Sequence, residues 1–226
     1  LIANEGTTQL ANAIELKGAL VRPGVYAFSE GARVSDYIGE IDRDLLPNAD
    51  LEIALIVRRV NERLDVEVLA FDLVAAAQSP GSRFDPELQV FDQIIVLPIP
   101  RITSADLSLA VDAESEANAG DKSEQTVSRK ALIGRVVDKL RDQAGAGQAL
   151  ALVSVQGAVK EPGEYPLTNT GDLAFLVQLA GGFEDGAFTK GVEVRRINVN
   201  EDRAAVEILN TSLTSEIPFS LQNSSI

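Results

Sequence analysis

The chain has 226 residues, 45% of them hydrophobic, and sets 34 acidic against 20 basic residues for a net charge of −14. That charge repels phosphate backbones and offers no electrostatic hold on anionic lipid, so neither nucleic acid nor a membrane surface is an expected partner. Cysteine and histidine are absent, which removes disulfides, thiolate chemistry and the commonest general base and metal ligand.

No run of about 20 apolar residues is present, so no helical membrane span is expected. The chain opens at Leu1 without an initiator methionine, as a processed chain or a piece of a longer one would. Residues 1–13 read as a lead-in of weak helical character. Ile14–Val21 reads as a strand and Gly24–Phe28 as its hairpin partner. Val34, Tyr37, Ile38 and Ile41 fall at helical spacing, which predicts one short amphipathic helix over Arg33–Ile41. Pro47–Asp50 reads as a turn. Ile53–Val60 and Asp65–Phe71 alternate as strands around a polar loop. A register with Arg58 opposite Glu67 puts Leu55, Val57, Val66 and Val68 on one apolar face and leaves the charged pair on the other. Arg59 then falls on the apolar face, near the hairpin end. Leu73–Ala77 suggests a helical turn and Gln93–Leu97 a closing strand.

Ser, Ala, Asp and Glu dominate residues 101–126, which read as a solvated acidic linker. Leu132, Ile133, Val136, Val137 and Leu140 then form one helical stripe within 127–147. Leu150–Val159 reads as a strand turning at Pro162-Gly163 and running through Tyr165. Leu173–Ala180 reads as a helix stopped by Gly181-Gly182. Val192–Ile197 and Ala204–Leu209 form a last hairpin.

Much of the second half repeats the first. Gly18-Ala-Leu-Val-Arg-Pro23-Gly24-Val-Tyr26 returns as Gly157-Ala-Val-Lys-Glu-Pro162-Gly163-Glu-Tyr165, 139 positions later. In each copy proline sets the first corner of a turn, and glycine is expected to supply the positive φ of the second corner of a type II turn. Val57-Arg58-Arg59 likewise returns as Val194-Arg195-Arg196, and Val66-Glu67-Val68-Leu69 as Val206-Glu207-Ile208-Leu209. The same logic pairs Val194 with Ile208 inside and Arg195 with Glu207 outside. Two tandem modules of order β-β-α-β-β-β follow, residues 1–100 and 148–226. Each is expected to bury one face of a small mixed sheet under one helix, the β-grasp arrangement, in the α+β class. A counterpart of Gln93–Leu97 does not follow the second hairpin within residues 212–226. The second sheet is therefore expected to fray near Leu221–Ile226 or to recruit a strand from elsewhere.

Few residues suggest chemistry. The acidic cluster Asp36, Glu40, Asp42 and Asp44 lacks the spacing of a calcium loop and reads as solvated surface. Gly181-Gly182 and Ala144–Gly147 follow helices, as C-caps do, and do not open them as phosphate loops would. A Ser-His triad is impossible, so no catalysis, cofactor or metal is expected. Tyr26 and Tyr165 could stack on sugar rings or fill the module cores. Arg58, Arg59, Arg195 and Arg196 could bind hydroxyls and carboxylates or pair with Glu67 and Glu207.

The repeated Gly-Ala-x-x-x-Pro-Gly-x-Tyr segments, with Leu179-Ala180-Gly181-Gly182 downstream, resemble SLBB (soluble-ligand-binding β-grasp) domains. Pro47–Leu51, Phe71-Asp72-Leu73, Asp92–Val96 and the basic helix near Arg129–Gln143 are similar to pieces of bacterial polysaccharide export proteins. That resemblance implies a non-enzymatic periplasmic segment of an outer-membrane complex that exports capsule or exopolysaccharide. It also implies a homo-oligomeric ring, an inner-membrane polysaccharide copolymerase as partner, and polysaccharide as cargo. The alternatives are a periplasmic ligand-binding or envelope-adhesion module, and an accessory domain of a larger enzyme.

Overall fold

A computed structural model of the chain describes residues 12–100, 128–145, 150–200 and 203–211. The acidic segment 101–126, the lead-in up to residue 11 and the stretch Leu221–Ile226 lie outside the described residues. Five strands of the first module share one sheet: β1 (Ala13–Gly18), β2 (Gly24–Ala27), β3 (Ala49–Arg59), β4 (Val66–Phe71) and β5 (Gln93–Pro98). Their spatial order is β2-β1-β5-β3-β4, with β1 and β5 parallel and the other neighbours antiparallel. Ala49 and Asp50, expected in a turn, already belong to β3. The β3–β4 hairpin has the expected register, with Arg58 opposite Glu67, Val57 opposite Val68 and Leu55 opposite Ala70.

The expected helix over Arg33–Ile41 is instead two single turns, α1 (Val34–Tyr37) and α2 (Ile41–Asp44). Gly39 sits at the break. The Asp44 carboxylate accepts hydrogen bonds from the Gly39 and Glu40 backbone N–H groups at 3.2 and 3.0 Å, which starts a new turn and ends the old one. The third helical piece, α3 (Leu73–Gln78), is capped by the Asp72 carboxylate, which accepts from the Ala75 N–H at 2.8 Å.

Both faces of the first sheet are buried, where one was expected. Ile14, Leu16, Ala54, Ile56, Ile94 and Val96 pack under Val34, Ile38, Leu73 and Ala76 of α1 and α3 and their flanks. On the opposite face Leu55, Val57, Val68, Ile95 and Leu97 meet a long helix, α4 (Arg129–Gly145). The predicted stripe of α4, Leu132, Ile133, Val136, Val137 and Leu140, is buried in full. Double burial explains why β3 and β5 read as continuous apolar runs and do not alternate.

The second module continues this core. Its elements are β6 (Leu152–Val155), β7 (Gly163–Pro166), α5 (Leu173–Leu179), β8 (Val192–Asn200) and β9 (Arg203–Thr211). Val159, Tyr165, Leu173, Leu176 and Leu179 join the cluster formed by α4 and the first sheet. Polar contacts lock the joint. The Asn169 N–H donates to the Val68 carbonyl, and its side-chain oxygen accepts from the Ala70 N–H, both at 3.0 Å. The Gln143 amide accepts from the Val66 N–H at 2.8 Å and donates to the Val66 carbonyl at 3.0 Å. At the start of α4 the Arg129 guanidinium is 1% exposed. It donates to the Asp50 carboxylate at 2.7 Å, to the Pro98 and Leu179 carbonyls at 3.0 Å, and to the Gln178 carbonyl. One side chain thus ties β3, β5 and α5 together.

Candidate binding site

The repeated turn has the same skeleton in both modules. Gly18 and Gly157 adopt φ of +96° and +99°, and each carbonyl accepts from the N–H two residues on, at 2.8 and 2.9 Å. The bend therefore falls at these glycines. Gly24 has φ of +152° and Gly163 does not adopt positive φ, so the expected type II corner at Pro-Gly is absent, and both residues instead open the returning strands β2 and β7. Strand register repeats as well: Val153 faces Tyr165 and Val155 faces Gly163, as Ile14 faces Tyr26 and Leu16 faces Gly24. The isolated bridge Leu20–Leu45 is matched by Val159–Phe183.

Tyr26 and Tyr165 clasp their turns. The Tyr26 hydroxyl donates to the Arg22 carbonyl at 2.6 Å and the Tyr165 hydroxyl to the Glu161 carbonyl. The Tyr165 ring is buried, and that burial, with the nearby Glu161 charge, pushes its hydroxyl up to about 12. Tyr26 is half-buried and meets Tyr37 edge-on, with ring centroids 6.3 Å apart.

The arginines are spread apart. Arg58 lies opposite Glu67 in register, but its guanidinium grips the fully buried Asp92 carboxylate at 2.8 Å and the Glu87 carbonyl at 2.8 Å. The sequence pattern of one hairpin could not reveal this, because Asp92 arrives from the turn before β5. Arg59 is exposed and stacks over Phe91 at 4.8 Å. Arg195 pairs with Glu193 at 2.5 Å. The side chain of Arg196 lies outside the described residues. Tyr26 on β2 and Arg58 and Arg59 on β3 are separated by two strands, so the six residues do not form one site.

The second hairpin is also registered differently from expectation. Arg196, not Arg195, faces Glu207, and Arg195 faces Ile208. Arg196 is thus the counterpart of Arg58, and the repeat of two adjacent arginines had concealed a one-residue slip. The slip exchanges the faces of β9 only, so that Ile208, expected inside, is exposed and Leu209 faces Val194, while Val194 inside and Arg195 outside stand as expected. Val192 and Val194 turn toward the core and Glu193 and Arg195 are exposed.

The feature no single motif announces is a cleft. Among the described residues, β6–β7 and β8–β9 are separate two-stranded sheets, whereas their counterparts in the first module are joined by β5. Between β6 and β8 a cleft of about 320 Å³ opens onto α5, walled by Val153, Val155, Val192 and Val194 and floored by Leu173, Leu176 and Val177. Phe188, 75% exposed, stands at its rim.

Residues 152–207, which carry both walls of this cleft and α5, match the family model of the SLBB domain. This segment is similar to SLBB domains. No curated protein matches the chain. SLBB domains are non-catalytic ligand-binding modules found in polysaccharide export proteins. Nothing about the cleft departs from a binding role: the SLBB segment offers an apolar trough with Ser154, Gln156, Glu193 and Arg195 as its polar rim. Among the described residues, no three acidic side chains converge as a metal site, and no helix is long and apolar enough to cross a membrane.

Proposed function

We propose that the chain is a tandem pair of SLBB-type β-grasp modules and a non-enzymatic part of a bacterial polysaccharide export complex. The SLBB match over residues 152–207 carries this reading. The pairing of modules is supported by the matched turns, clasps, registers and bridges of the two halves. In this reading residues 1–100 are the first module and 148–226 the second, with 101–126 an acidic tether and 127–147 the helix between them. The assembly stands in the periplasm, as a homo-oligomer below the outer membrane, and receives polymer from an inner-membrane copolymerase.

The joint between the modules suits such a role. Arg129, Asn169 and Gln143 fix the SLBB segment against the first sheet, so subunits of a ring would meet as stiff blocks. Deleting the gene in its host tests the proposal. Surface polysaccharide should disappear while polymer still accumulates inside the envelope, and fractionation should recover the protein with the outer membrane. Unchanged surface polysaccharide, or recovery from the cytosol, would refute it.

A further inference from the structure

We propose that Lys17, Arg59 and Lys139, with the Phe91 ring, form a binding site for an acidic sugar, a pyranose that carries one carboxylate among its hydroxyls. The site lies on the first sheet at the flank of α4, outside the SLBB segment and its cleft.

The sheet register brings its parts together. Arg59 alternates with Leu55 and Val57, and so shares the face that α4 covers. Lys17 lies beside Ile95 of that face, and Glu15 beside Gln93. Gln143 of α4 bonds Val66, the ladder partner of Arg59, which sets Lys139, one helical turn earlier, close to Arg59. Burial holds the half-buried Lys139 ammonium below its ordinary value, and the charges of Arg59 and Lys17 add to this while Glu15 opposes it. Lys17 pairs with Glu15 at 2.9 Å. Neither Arg59 nor Lys139 forms an ion pair with any described residue. In a chain of net charge −14, three cations grouped around one carboxylate are a local excess that an anion would relieve.

Phe91 supplies an independent observation. Its φ is +69°, yet it carries a large ring that is 40% exposed. Glycine or asparagine would take that corner with less strain, so the corner gives up stability to hold a ring at the surface. Arg59 stacks over the ring at 4.8 Å. Stacking occupies the face of a guanidinium and leaves its N–H donors free in the plane, where two of them can meet a carboxylate together. The remaining exposed part of the ring offers apolar surface to the C–H face of a sugar.

Glu15 decides between anions. A phosphate or a run of acidic side chains brings negative charge and acceptors, which the Glu15 carboxylate repels. A sugar acid brings one negative charge for Arg59 and Lys139, together with hydroxyls that donate to Glu15. That the sugar belongs to an exported polymer rests on the export reading above; the chemistry of the site does not.

The test uses the 226-residue chain and three probes: a hexasaccharide of alternating glucuronate and N-acetylglucosamine, a neutral hexasaccharide of glucose, and hexaglutamate. Binding is followed by amide chemical shifts. The acidic hexasaccharide should shift the amides of residues 15, 17, 59, 91 and 139 saturably, and bind about tenfold or more tighter than either other probe. Arg59→Lys keeps the charge but loses the planar fork, and should weaken this binding about fivefold or more, as should Lys139→Gln. Phe91→Asn, at ease with positive φ, should weaken it as much while the amides of the first sheet keep their protection from exchange. The proposal is overturned if the acidic hexasaccharide gives no saturable shifts, if the neutral sugar or hexaglutamate binds as well, or if Arg59→Lys and Lys139→Gln leave its affinity unchanged. Such a failure, with surface polysaccharide lost on gene deletion, refutes the site and leaves the export reading; the reverse pattern refutes the export reading and leaves the site.

Discussion

Replacing Arg129 with methionine should be among the most damaging single changes in the protein. Methionine keeps the apolar stem but removes a guanidinium that serves four acceptors, at Asp50, Pro98, Leu179 and Gln178. Hydrogen bonds to a charged donor contribute about 1.5–3 kcal/mol each, but they are not additive. The more secure figure is the cost of breaking a buried ion pair from one side, about 3–5 kcal/mol. That is a large fraction of a total stability of about 5–15 kcal/mol. In urea, with a slope of about 2–3 kcal/mol per molar, the midpoint should fall by roughly 1–2 M. Arg129→Lys should recover little, since an ammonium cannot reproduce the fork that meets Asp50 and two carbonyls together. Asp50→Leu should be far less harmful in the Arg129→Met background than alone, because the stranded carboxylate is then gone. A midpoint shift below about 0.3 M for Arg129→Met would refute the claim that this residue holds the modules together.

Three further outcomes follow from particular contacts. Gly18→Ala should cost about 3–5 kcal/mol, from positive φ and a clash with the Val96 carbonyl. Gly157→Ala should cost only the backbone part, about 1–2 kcal/mol, and chemical denaturation of the two variants separates these values. Tyr165 has its hydroxyl pushed up to about 12 from 10 in the unfolded chain, so its contribution is complete below pH 10 and is lost as pH rises toward 12. Tyr165→Phe should cost about 1 kcal/mol at neutral pH and flatten this alkaline decline. Burial pushes the Asp44 carboxyl up, but Arg43 and the Glu40 and Gly39 N–H groups outweigh it and hold the group below its ordinary 3.8. Its contribution is present above pH 3.8 and fades as pH falls through the lower folded value. The stability gap between wild type and Asp44→Asn should therefore close in acid, and a gap unchanged at pH 2 would count against this account.

How much of this was legible depended on whether a residue's partners lie near it in sequence. The β3–β4 register could be read because Arg58 and Glu67 are the only opposite charges that align while Val57 meets Val68. The second hairpin carries the same two adjacent arginines and one glutamate, but its ladder runs on to Asn200 opposite Arg203, which sets a register one residue away from the one inferred by analogy. The stripe of α4 shows that the helix is buried, but not that it covers the far face of a sheet whose strands end at Pro98. Arg129 carried no signal of burial, since its acceptors come from residues 50, 98, 178 and 179. The cleft could not be anticipated, because its walls come from β6 and β8 and its floor from α5, elements up to about 40 residues apart.

The double covering of the first sheet also imposes an order on biosynthesis. When β5 has been made, Leu55, Val57, Ile95 and Leu97 still await the helix that ends near Gly145. At about 5–20 residues per second, a ribosome needs roughly 2–9 seconds to supply it. During that interval the nascent chain presents a bare apolar face, so the second side of the first sheet can close only after α4 has been made.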